Sequence, residues 1–222
     1  ELGRVAQRHG LVVVEDCAQA TGTRIFSENA GAFGHANAFS FYPTKNLGAY
    51  GDGGCVVTKD PEVANRLRSL RNYGYEKRDY STQLGLNSRL DALQAGILRV
   101  KLPHVSAWNA RRATIAQRYL AALDDTNLVI PTTPEQVENV YHLFPVLVDD
   151  RERVRQKLEQ LGVSTQIHYP TPLHLQPALA GLGYRLGDFP NAERACSQVM
   201  SIPIFPQLSD EEVVRVTEAL HA

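Results

Sequence analysis

Short apolar runs alternate with amphipathic segments and glycine-rich turns over the first part of the chain. Residues 2–9 are amphipathic and precede Gly10, which predicts a helix with a glycine stop. The β-branched run LVVVE at 11–15 predicts a buried parallel strand. Two further short strands are predicted at AFSF (38–41) and CVVT (55–58). A helix that leads into such strands indicates an α/β layer.

Helical patterns follow these strands. Proline is favoured in the first turn of a helix, so a helix is predicted from Pro61 to about Leu70. A longer helical periodicity ends at Pro103. Ser88 is predicted to cap that helix, because Asp91 follows at the spacing of a capping-box variant.

A second domain is predicted beyond a bridging helix. This helix runs from about 104 to 123 and places three arginines on polar positions, Arg111, Arg112 and Arg118. After Pro131, short strands mix with helices, which is typical of a small α+β domain. The segments are YHLFPVLV (141–148), RERVRQKLEQLG (151–162), VSTQIHY (163–169), NAERACSQVM (191–200) and SDEEVVRVTEALH (209–221). We therefore expect an α/β chain with two domains, 1–105 and 106–222.

Composition narrows the class of protein. The 222 residues are 43% hydrophobic and 21% charged, as in an ordinary globular protein, and the net charge is −1. This charge argues against nucleic-acid binding, and no apolar run is long enough to predict a membrane span. The three scattered cysteines, without a CxxC pair, argue against a zinc site and fit a cytoplasmic location. No signal peptide is visible in the sequence.

One lysine lies inside a stiff, small and nearly uncharged stretch, FYPTKNLGAYGDGG at 41–54. Pro43 fixes the backbone and restricts Tyr42, so Lys45 leaves the preceding strand in a defined direction. The glycines let the backbone fold closely around a ligand. Lysines held away from water act as nucleophilic amines and form Schiff bases with carbonyls, including pyridoxal phosphate. A lysine that simply flanks a glycine turn explains this stretch equally well.

Asp16 directly follows the first predicted strand, at the end where α/β sheets hold ligands. Taken alone, a helix cap or a turn carboxylate is the better explanation for it. Ser40 and Lys45 follow the next predicted strand. Pyridoxal phosphate enzymes need a lysine for the covalent link, an acid facing the pyridine nitrogen, and hydroxyls or amides for the phosphate. The three residues together therefore favour pyridoxal phosphate as the cofactor.

Longer motifs carry a specific resemblance to a known family. In this order and spacing the chain contains VVEDCAQATG, GAFGHANAFSFYPTKNLGAYGDGGCVVT, LRNYG, GLNSRLDALQAGIL, IHYPTPLHLQPA, GDFPNAER and SIPIFPQLS. These segments resemble the DegT family of sugar aminotransferases, fold type I pyridoxal phosphate enzymes that act on nucleotide-linked keto sugars. The resemblance covers nearly the whole chain. It implies that 1–105 is the C-terminal part of the large α/β/α cofactor domain and that the small α+β domain follows.

The resemblance implies roles for individual residues. Lys45 matches the Schiff-base lysine, which also moves the proton, and Asp16 matches the acid paired with the pyridine nitrogen. Gln19 matches a residue near the ring hydroxyl, and Ser40 matches a phosphate ligand. Asn87 matches a residue that reaches the phosphate of the neighbouring subunit's cofactor, so a homodimer with shared active sites is implied.

Further residues are assigned in the same way. His168 and Tyr169 lie in a loop that covers the substrate sugar in the family, whereas two prolines between His168 and His174 argue against a metal site. For Arg89, support of its loop or a structural salt bridge is expected as much as a ligand role. A few members carry histidine in place of the lysine and act as dehydratases, and Lys45 argues against that chemistry here.

The resemblance implies transfer of an amino group from glutamate to a nucleotide-linked keto sugar. The loop with the sequence His-Tyr-Pro at 168–170 resembles that of members which aminate the sugar at C3. Alternatives are a C4 keto sugar, a keto-cyclitol, or a truncated non-catalytic homologue. The chain begins without Met inside a predicted helix, so a fragment, a processed chain or a missing beginning is expected. Complete members are longer, and their first part supplies a helix N-terminus for the phosphate and a residue that stacks on the ring. This chain on its own is therefore expected to bind the cofactor poorly or not at all.

Overall fold

The computed structural model describes residues 1–124, 126 and 128–221. The chain divides into two compact units, which are Glu1–Asn109 with Pro134–Val140, and Ala110–Thr133 with Tyr141–Ala222. The chain thus returns to the first unit for one short segment after it has entered the second. The assignment of residues 1–105 to part of a cofactor-binding domain stays a prediction.

The first unit contains short strands and helices in alternation. In chain order they are α1 (Leu2–Arg8), β1 (Val14–Asp16), β2 (Arg24–Ile25), β3 (Glu28–Asn29), β4 (Ala36–Ser40), β5 (Gly54–Val57), α2 (Pro61–Leu70), β6 (Tyr75–Lys77), β7 (Tyr80–Ser81), α3 (Ala92–Lys101), the beginning of α4 (Val105–Ala122), and β8 (Val137–Glu138). A 3-10 turn at Leu102–His104 joins α3 to α4.

A three-stranded sheet in the order β1-β4-β5 organises the first unit. β1 and β4 are parallel, with Asp16 opposite Ala38. β4 and β5 are antiparallel, with Ser40 opposite Gly54. Parallel strands need a crossover connection, and the segment between β1 and β4 includes the short β2–β3 pair, which belongs to a second sheet in the order β3-β2-β8.

The predicted burial of the first strand is wrong, although its parallel pairing is confirmed. β1 begins at Val14, and the side chains of Val12 and Val14 are 75% and 67% exposed. Within this chain, β1 stands at the end of the strand order and pairs on one side with β4. An edge strand has fewer neighbours to cover its apolar side chains than an interior strand has.

One predicted helix start is confirmed and another is wrong. α2 begins at Pro61 as predicted, and the Asp60 carboxylate caps it by accepting a hydrogen bond from the Glu62 amide at 2.8 Å. α3 instead begins directly after Asp91, and Ser88 does not cap it. The backbone N–H of Ser88 donates to the Arg71 carbonyl at 2.9 Å, which ties that residue to the end of α2.

The first unit has a small core that includes the turn after β4. Its buried members are Leu47, Ala49, Leu98 and Val105, and Phe41, Leu90 and Trp108 pack against them. Leu47 and Ala49 are 6% and 0% exposed. The turn that carries Lys45 is therefore anchored by apolar burial immediately beyond the lysine.

The second unit is built on a pair of antiparallel strands and the helices around them. After the main part of α4, its elements are β9 (Phe144–Leu147), α5 (Arg151–Gln160), α6 (Pro190–Gln198), β10 (Val199–Ile202) and α7 (Asp210–His221). The segment predicted as a strand or extended piece at 163–169 is extended, with a bridge from Gln166 to Ser201. Among the described residues, no helix combines the length and the apolarity that a membrane span needs.

The core of the second unit surrounds the strand pair. Val146 lies opposite Met200, and both are fully buried. The Tyr119 ring meets the Phe144 ring edge-on with 5.2 Å between centroids, and its hydroxyl donates to the Pro203 carbonyl at 2.8 Å. A buried tyrosine thus satisfies its hydroxyl without leaving the core.

Arg112 does not lie on the predicted polar face of α4. Its side chain is 6% exposed, and its Nη1 donates to the carbonyls of Tyr141, His142 and Ile204 at 3.1, 3.3 and 2.8 Å. These carbonyls belong to segments outside regular pairing, so they need donors from elsewhere. Burial lowers the pKa of the guanidinium to about 10, which leaves it charged at neutral pH.

The other two arginines of α4 occupy polar positions as predicted. Arg111 and Arg118 both reach Oδ1 of Asp210, at 2.8 and 2.7 Å. The hydrogen bond from Arg111, together with the charges of both arginines, holds the pKa of Asp210 below its ordinary value of 3.8. Because the folded pKa is the lower one, this carboxylate stabilises the fold above that value and loses its effect as the pH falls further.

We expect Asp210→Asn to lower the urea midpoint of unfolding slightly at pH 7, since partly exposed ion pairs contribute little. The difference from the parent should shrink as the pH falls below 3.8, where Asp210 takes up its proton. Glu218→Gln, an exposed position on the same helix, controls for the change in net charge. An Asp210→Asn deficit that persists undiminished at the lowest pH would contradict this interpretation.

Candidate active site

The parallel pairing of β1 with β4 brings two candidate residues to one edge of the sheet. Asp16 is the last residue of β1, and Ser40 is the last residue of β4. Asp16 lies opposite Ala38, so Ser40 extends two positions further along the neighbouring strand. With ordinary strand spacing and rise, the two Cα atoms are roughly 8 Å apart. Both side chains therefore belong to the carboxyl edge, where ligands bind in such sheets.

Asp16 combines a turn role with a free acceptor. One carboxylate oxygen, Oδ1, accepts a hydrogen bond from the Ala18 amide at 3.0 Å, which is the turn arrangement expected of an aspartate after a strand. Oδ2 receives no hydrogen bond from any described residue. The residue is exposed, so this oxygen is available to a donor from a ligand.

Ser40 is placed to donate a hydrogen bond. Its Oγ accepts from the Tyr42 amide at 3.2 Å, which fixes the side chain against the following turn. A serine hydroxyl carries one hydrogen in addition to its acceptor sites. That hydrogen is still available for an anionic oxygen at the sheet edge.

The turn after β4 holds Lys45 by its backbone and leaves its amine unengaged. The Lys45 amide donates to the Tyr42 carbonyl at 2.9 Å, and the Ala49 amide donates to the Phe41 carbonyl at 2.8 Å. The Lys45 side chain is half-buried. Within the part of the chain that the structure describes, its Nζ makes no hydrogen bond or ion pair.

A second lysine nearby is fully engaged, in contrast to Lys45. The Lys101 amine donates to the Gly48 carbonyl at 2.7 Å and lies 4.6 Å from the centroid of the Tyr50 ring. The Tyr50 amide in turn donates to Oε1 of Gln94 at 2.8 Å. Lys101 thus supports the turn, whereas Lys45 has the amine that is free to react.

Glu15 was not singled out by the sequence patterns, yet it organises the approach to β4. Its two carboxylate oxygens accept hydrogen bonds from the amides of Gly31, Phe33 and Gly34 at 3.0, 2.7 and 2.7 Å. The signal available in the sequence is a glutamate inside an apolar strand, where an unpaired charge is costly. Glu15 fixes the glycine-rich loop that leads into β4.

Cys17 lies beside these carboxylates and is 2% exposed. Burial, together with the charges of Glu15 and Asp16, raises the pKa of its thiol to about 11. The thiolate, which is the reactive form of cysteine, is therefore scarce at neutral pH. This agrees with the interpretation of Cys17 as a small filler residue.

Gln19 and Asn87 have fewer contacts with this edge. Gln19 is exposed and forms no hydrogen bond with a described residue. Asn87 forms a bridge with Asn72 and accepts a hydrogen bond from Arg89 Nε at 3.1 Å. The Arg89 guanidinium lies 5.6 Å from the centroid of the Tyr73 ring. Arg89 therefore supports the loop of Asn87, while the ligand roles of Gln19 and Asn87 stay predictions.

The two substrate candidates belong to the second unit. His168 Nδ1 and Ser201 Oγ are 2.9 Å apart, which fixes the imidazole against β10. Tyr169 is 65% exposed, and its ring stands perpendicular to that of His168 with 5.5 Å between centroids. The pair presents an aromatic, partly polar surface of the kind that suits a sugar ring. Their role in substrate binding stays a prediction.

His174 has a different partner from His168. Its Nε2 lies 2.9 Å from Oε1 of Glu193, which also accepts hydrogen bonds from the amides of Gly187 and Phe189. This arrangement closes a loop within the second unit. Across the residues that the structure describes, no group of three or more His, Cys, Asp and Glu is placed to hold a metal ion.

A mixed α/β fold that brings a carboxylate and a hydroxyl to the carboxyl edge of a parallel strand pair, with a lysine in the turn that follows, is compatible with an aminotransferase. The comparison with protein families agrees with this. The chain belongs to the DegT/DnrJ/EryC1/StrS aminotransferase family, whose family model matches residues 1–221. The predicted family and fold class are confirmed.

Several relatives are known by name or structure. The chain is 49% identical over 222 residues to the erythromycin biosynthesis sensory transduction protein EryC1 of Saccharopolyspora erythraea, covering 100% of this chain and 61% of that protein. It is 46% identical over 220 residues to dTDP-3-amino-3,4,6-trideoxy-α-D-glucose transaminase of Streptomyces venezuelae, covering 99% and 58%. The crystal structure of S. venezuelae DesV in complex with a ketimine intermediate matches with a TM-score of 0.95 and 46% identity, covering 99% and 59%. The chain therefore spans about three fifths of the length of these curated relatives.

We expect Gly48→Ala to disturb the turn that carries Lys45. A Cβ at this position would lie 2.3 Å from the Pro43 carbonyl oxygen, which is backbone and cannot rotate away. Overpacking of this kind costs about 1–3 kcal/mol of unfolding free energy, which urea denaturation would measure. Gly96→Ala is the matched control, because no atom lies within 4 Å of its added Cβ on α3. A Gly48→Ala protein as stable as the parent would show that the turn is not tightly packed.

Proposed function

We propose that this chain is the cofactor-bearing part of a pyridoxal phosphate-dependent aminotransferase. The observation that carries the proposal is the Lys45 amine, unengaged and held in a fixed turn beyond the same sheet edge as Asp16 and Ser40. Family membership supports it, since the matching family consists of aminotransferases. The reaction would exchange the amino group of a donor, glutamate, for the keto oxygen of a nucleotide-linked sugar.

The donor set fits the cofactor group by group. Asp16 Oδ2 suits a protonated pyridine nitrogen, because it is an acceptor without a partner among the described residues. The Ser40 hydroxyl suits the phosphate, and Gln19 and Asn87 are the further proposed contacts, Asn87 from a neighbouring subunit of a homodimer. When bound, pyridoxal phosphate supplies an aldehyde that accepts an amino group and a ring that stabilises negative charge on the adjacent carbon.

Lys45 would have two tasks. Its Nζ would hold the cofactor by a covalent bond to the aldehyde carbon, with loss of water. Once displaced by the amino donor, the same amine would accept and return the proton at the reacting carbon. A half-buried amine that has no partner among the described residues can serve both tasks, whereas the Lys101 amine is occupied by Gly48 and Tyr50.

On the substrate side, we propose that His168 and Tyr169 contact a sugar that is aminated at C3. The Streptomyces relative is named for a dTDP-sugar with the amino group at that carbon, which supports this choice of substrate class. A C4 keto sugar or a keto-cyclitol is the alternative within the same chemistry. Product analysis with keto sugars that differ in the position of the keto group would separate these substrates.

A second candidate function is regulatory, without turnover. It is favoured by the name of one relative, which is called a sensory transduction protein. The two candidates differ in a single measurement. An absorbance spectrum with pyridoxal phosphate, recorded before and after glutamate, shows bleaching of the lysine-linked band only if amino transfer occurs. A stable band that glutamate leaves unchanged would favour the regulatory role.

In the longest form of the protein that its gene encodes, we expect Lys45→Ala to abolish turnover. Proton transfer by a positioned base contributes roughly 10² to 10⁴ in rate, and the covalent attachment is lost in addition. After borohydride reduction, mass spectrometry should locate the cofactor on Lys45 of the parent and on no lysine of the variant. Lys59→Ala, an exposed lysine in the same unit, is the control and should retain both properties. Near-normal turnover of Lys45→Ala would refute the assignment.

We expect Asp16→Asn to fold normally and to lose most of its activity. An opposite charge nearby shifts a pKa by about 1 to 3, so its loss reduces the protonated fraction of the pyridine by at most roughly 10- to 10³-fold. The kcat for amino transfer should fall by a similar factor. Asp79→Asn removes an exposed carboxylate elsewhere in the unit and should be neutral. Unchanged kinetics in Asp16→Asn would remove this residue from the site.

A further inference from the structure

A buried asparagine lies directly beside Lys45. Asn46 is 8% exposed, and its Nδ2 donates to Oδ1 of Asn109 at 2.8 Å and to the Val140 carbonyl at 3.1 Å. These partners are distant in sequence but belong to the same unit. The residue next to the candidate lysine is therefore fixed by two directional contacts inside the protein.

Asn109 extends this contact to the other candidate segment. Its Nδ2 donates to the Thr21 carbonyl at 2.9 Å. Gly22 makes room for it, because a Cβ there would lie 2.6 Å from Asn109 Nδ2, and its φ of +90° favours glycine. The carbonyls of Val140 and Thr21 can only accept a hydrogen bond. Asn46 and Asn109 must therefore turn their NH₂ groups towards these carbonyls, which fixes the orientation of both side-chain amides.

The two asparagines thus connect the segments that carry the candidate residues. Thr21 follows the stretch that contains Asp16 and Gln19. A hydrogen bond from the Ala20 amide to the Cys17 carbonyl at 3.0 Å forms a turn within this stretch. Asn46 closes the turn that contains Lys45. Neither segment is paired in a strand at these positions. Asn109, on α4, therefore links the two segments, because it accepts a hydrogen bond from Asn46 and donates one to the Thr21 carbonyl.

We infer that Asn46 and Asn109 are positioning residues that hold Lys45 at a fixed distance from the Asp16 segment. The inference rests on the proposed function for its catalytic meaning. Asn46 is buried and Asn109 is half-buried, and hydrogen bonds between amides are directional, whereas apolar packing alone tolerates small displacements. A displacement of about 1 Å at a reacting group costs on the order of 10² in rate. The pair would therefore affect kcat much more than the KM for the amino donor.

The chain offers a matched control for the loss of a buried amide. Asn37 is 2% exposed and its Nδ2 donates to the carbonyls of Gly34 and Val57 at 3.3 and 3.0 Å. It lies on β4 towards the end opposite Ser40. Asn37→Ala therefore reproduces the general cost of removing a buried amide from this unit without loosening the turn of Lys45.

The first readout needs no cofactor. Reductive methylation with formaldehyde, followed by mass spectrometry, gives the reaction rate of Lys45 relative to the exposed Lys59. We expect Asn46→Ala and Asn109→Ala to raise this ratio roughly 3- to 10-fold, the effect of losing a net hydrogen bond that restrains the turn. Asn37→Ala should leave the ratio at the parent value although it lowers the urea midpoint. Equal ratios in all three variants would overturn the inference.

The second readout uses the protein with pyridoxal phosphate, in the longest form that its gene encodes. We expect kcat to fall about 10²-fold in Asn46→Ala and Asn109→Ala with the KM for glutamate unchanged. Asn37→Ala should retain the parent kcat. If Asn46→Ala does not fold, the kcat of Asn109→Ala alone tests the inference. If the parent itself neither binds the cofactor at Lys45 nor transfers an amino group, the proposed function fails, while the methylation ratios still decide whether the pair holds Lys45.

Discussion

The parallel ladder between β1 and β4 is the interaction on which the candidate site depends. It places the end of β1, with Asp16, beside the end of β4, with Ser40. A shift of one residue in this register would turn these side chains to the opposite faces of the sheet. Glu15 supports the register, since its carboxylate binds three amides of the loop that enters β4. Glu15 thus stabilises the strand pairing that places Asp16 beside the end of β4.

The turn beyond β4 depends on close backbone packing in addition to this ladder. β5 returns antiparallel to β4, and Gly54 leaves room for the Phe39 carbonyl oxygen, which would lie 2.7 Å from an added Cβ. Between the two strands the chain must bury Leu47 and Ala49 while it keeps Lys45 accessible. Glycine and proline satisfy both demands, because they allow tight turns that other residues cannot form.

The features that sequence predicted well are local ones. The start of α2 at Pro61, the strands before and after Lys45 and the extended stretch near His168 follow from neighbouring residues. The errors arise where distant contacts decide. The Ser88 amide donates to the Arg71 carbonyl, and the Arg112 side chain reaches carbonyls far along the chain, so neither residue follows its local pattern. The Asn46–Asn109 contact joins residues 63 positions apart, and an asparagine carries no periodic signal that would reveal such a partner.

Buried or half-buried polar side chains hold irregular segments in both units. In the first unit, Asn46 and Asn109 bind the carbonyls of Val140 and Thr21. In the second, Arg112 binds three carbonyls and has no carboxylate partner among the described residues, and the negative ends of these three carbonyl dipoles stabilise its charge. Apolar burial drives each unit to fold but does not fix the direction of a loop. Functional loops carry many unpaired backbone groups, so a few buried donors can determine their geometry while leaving the reactive side chains free.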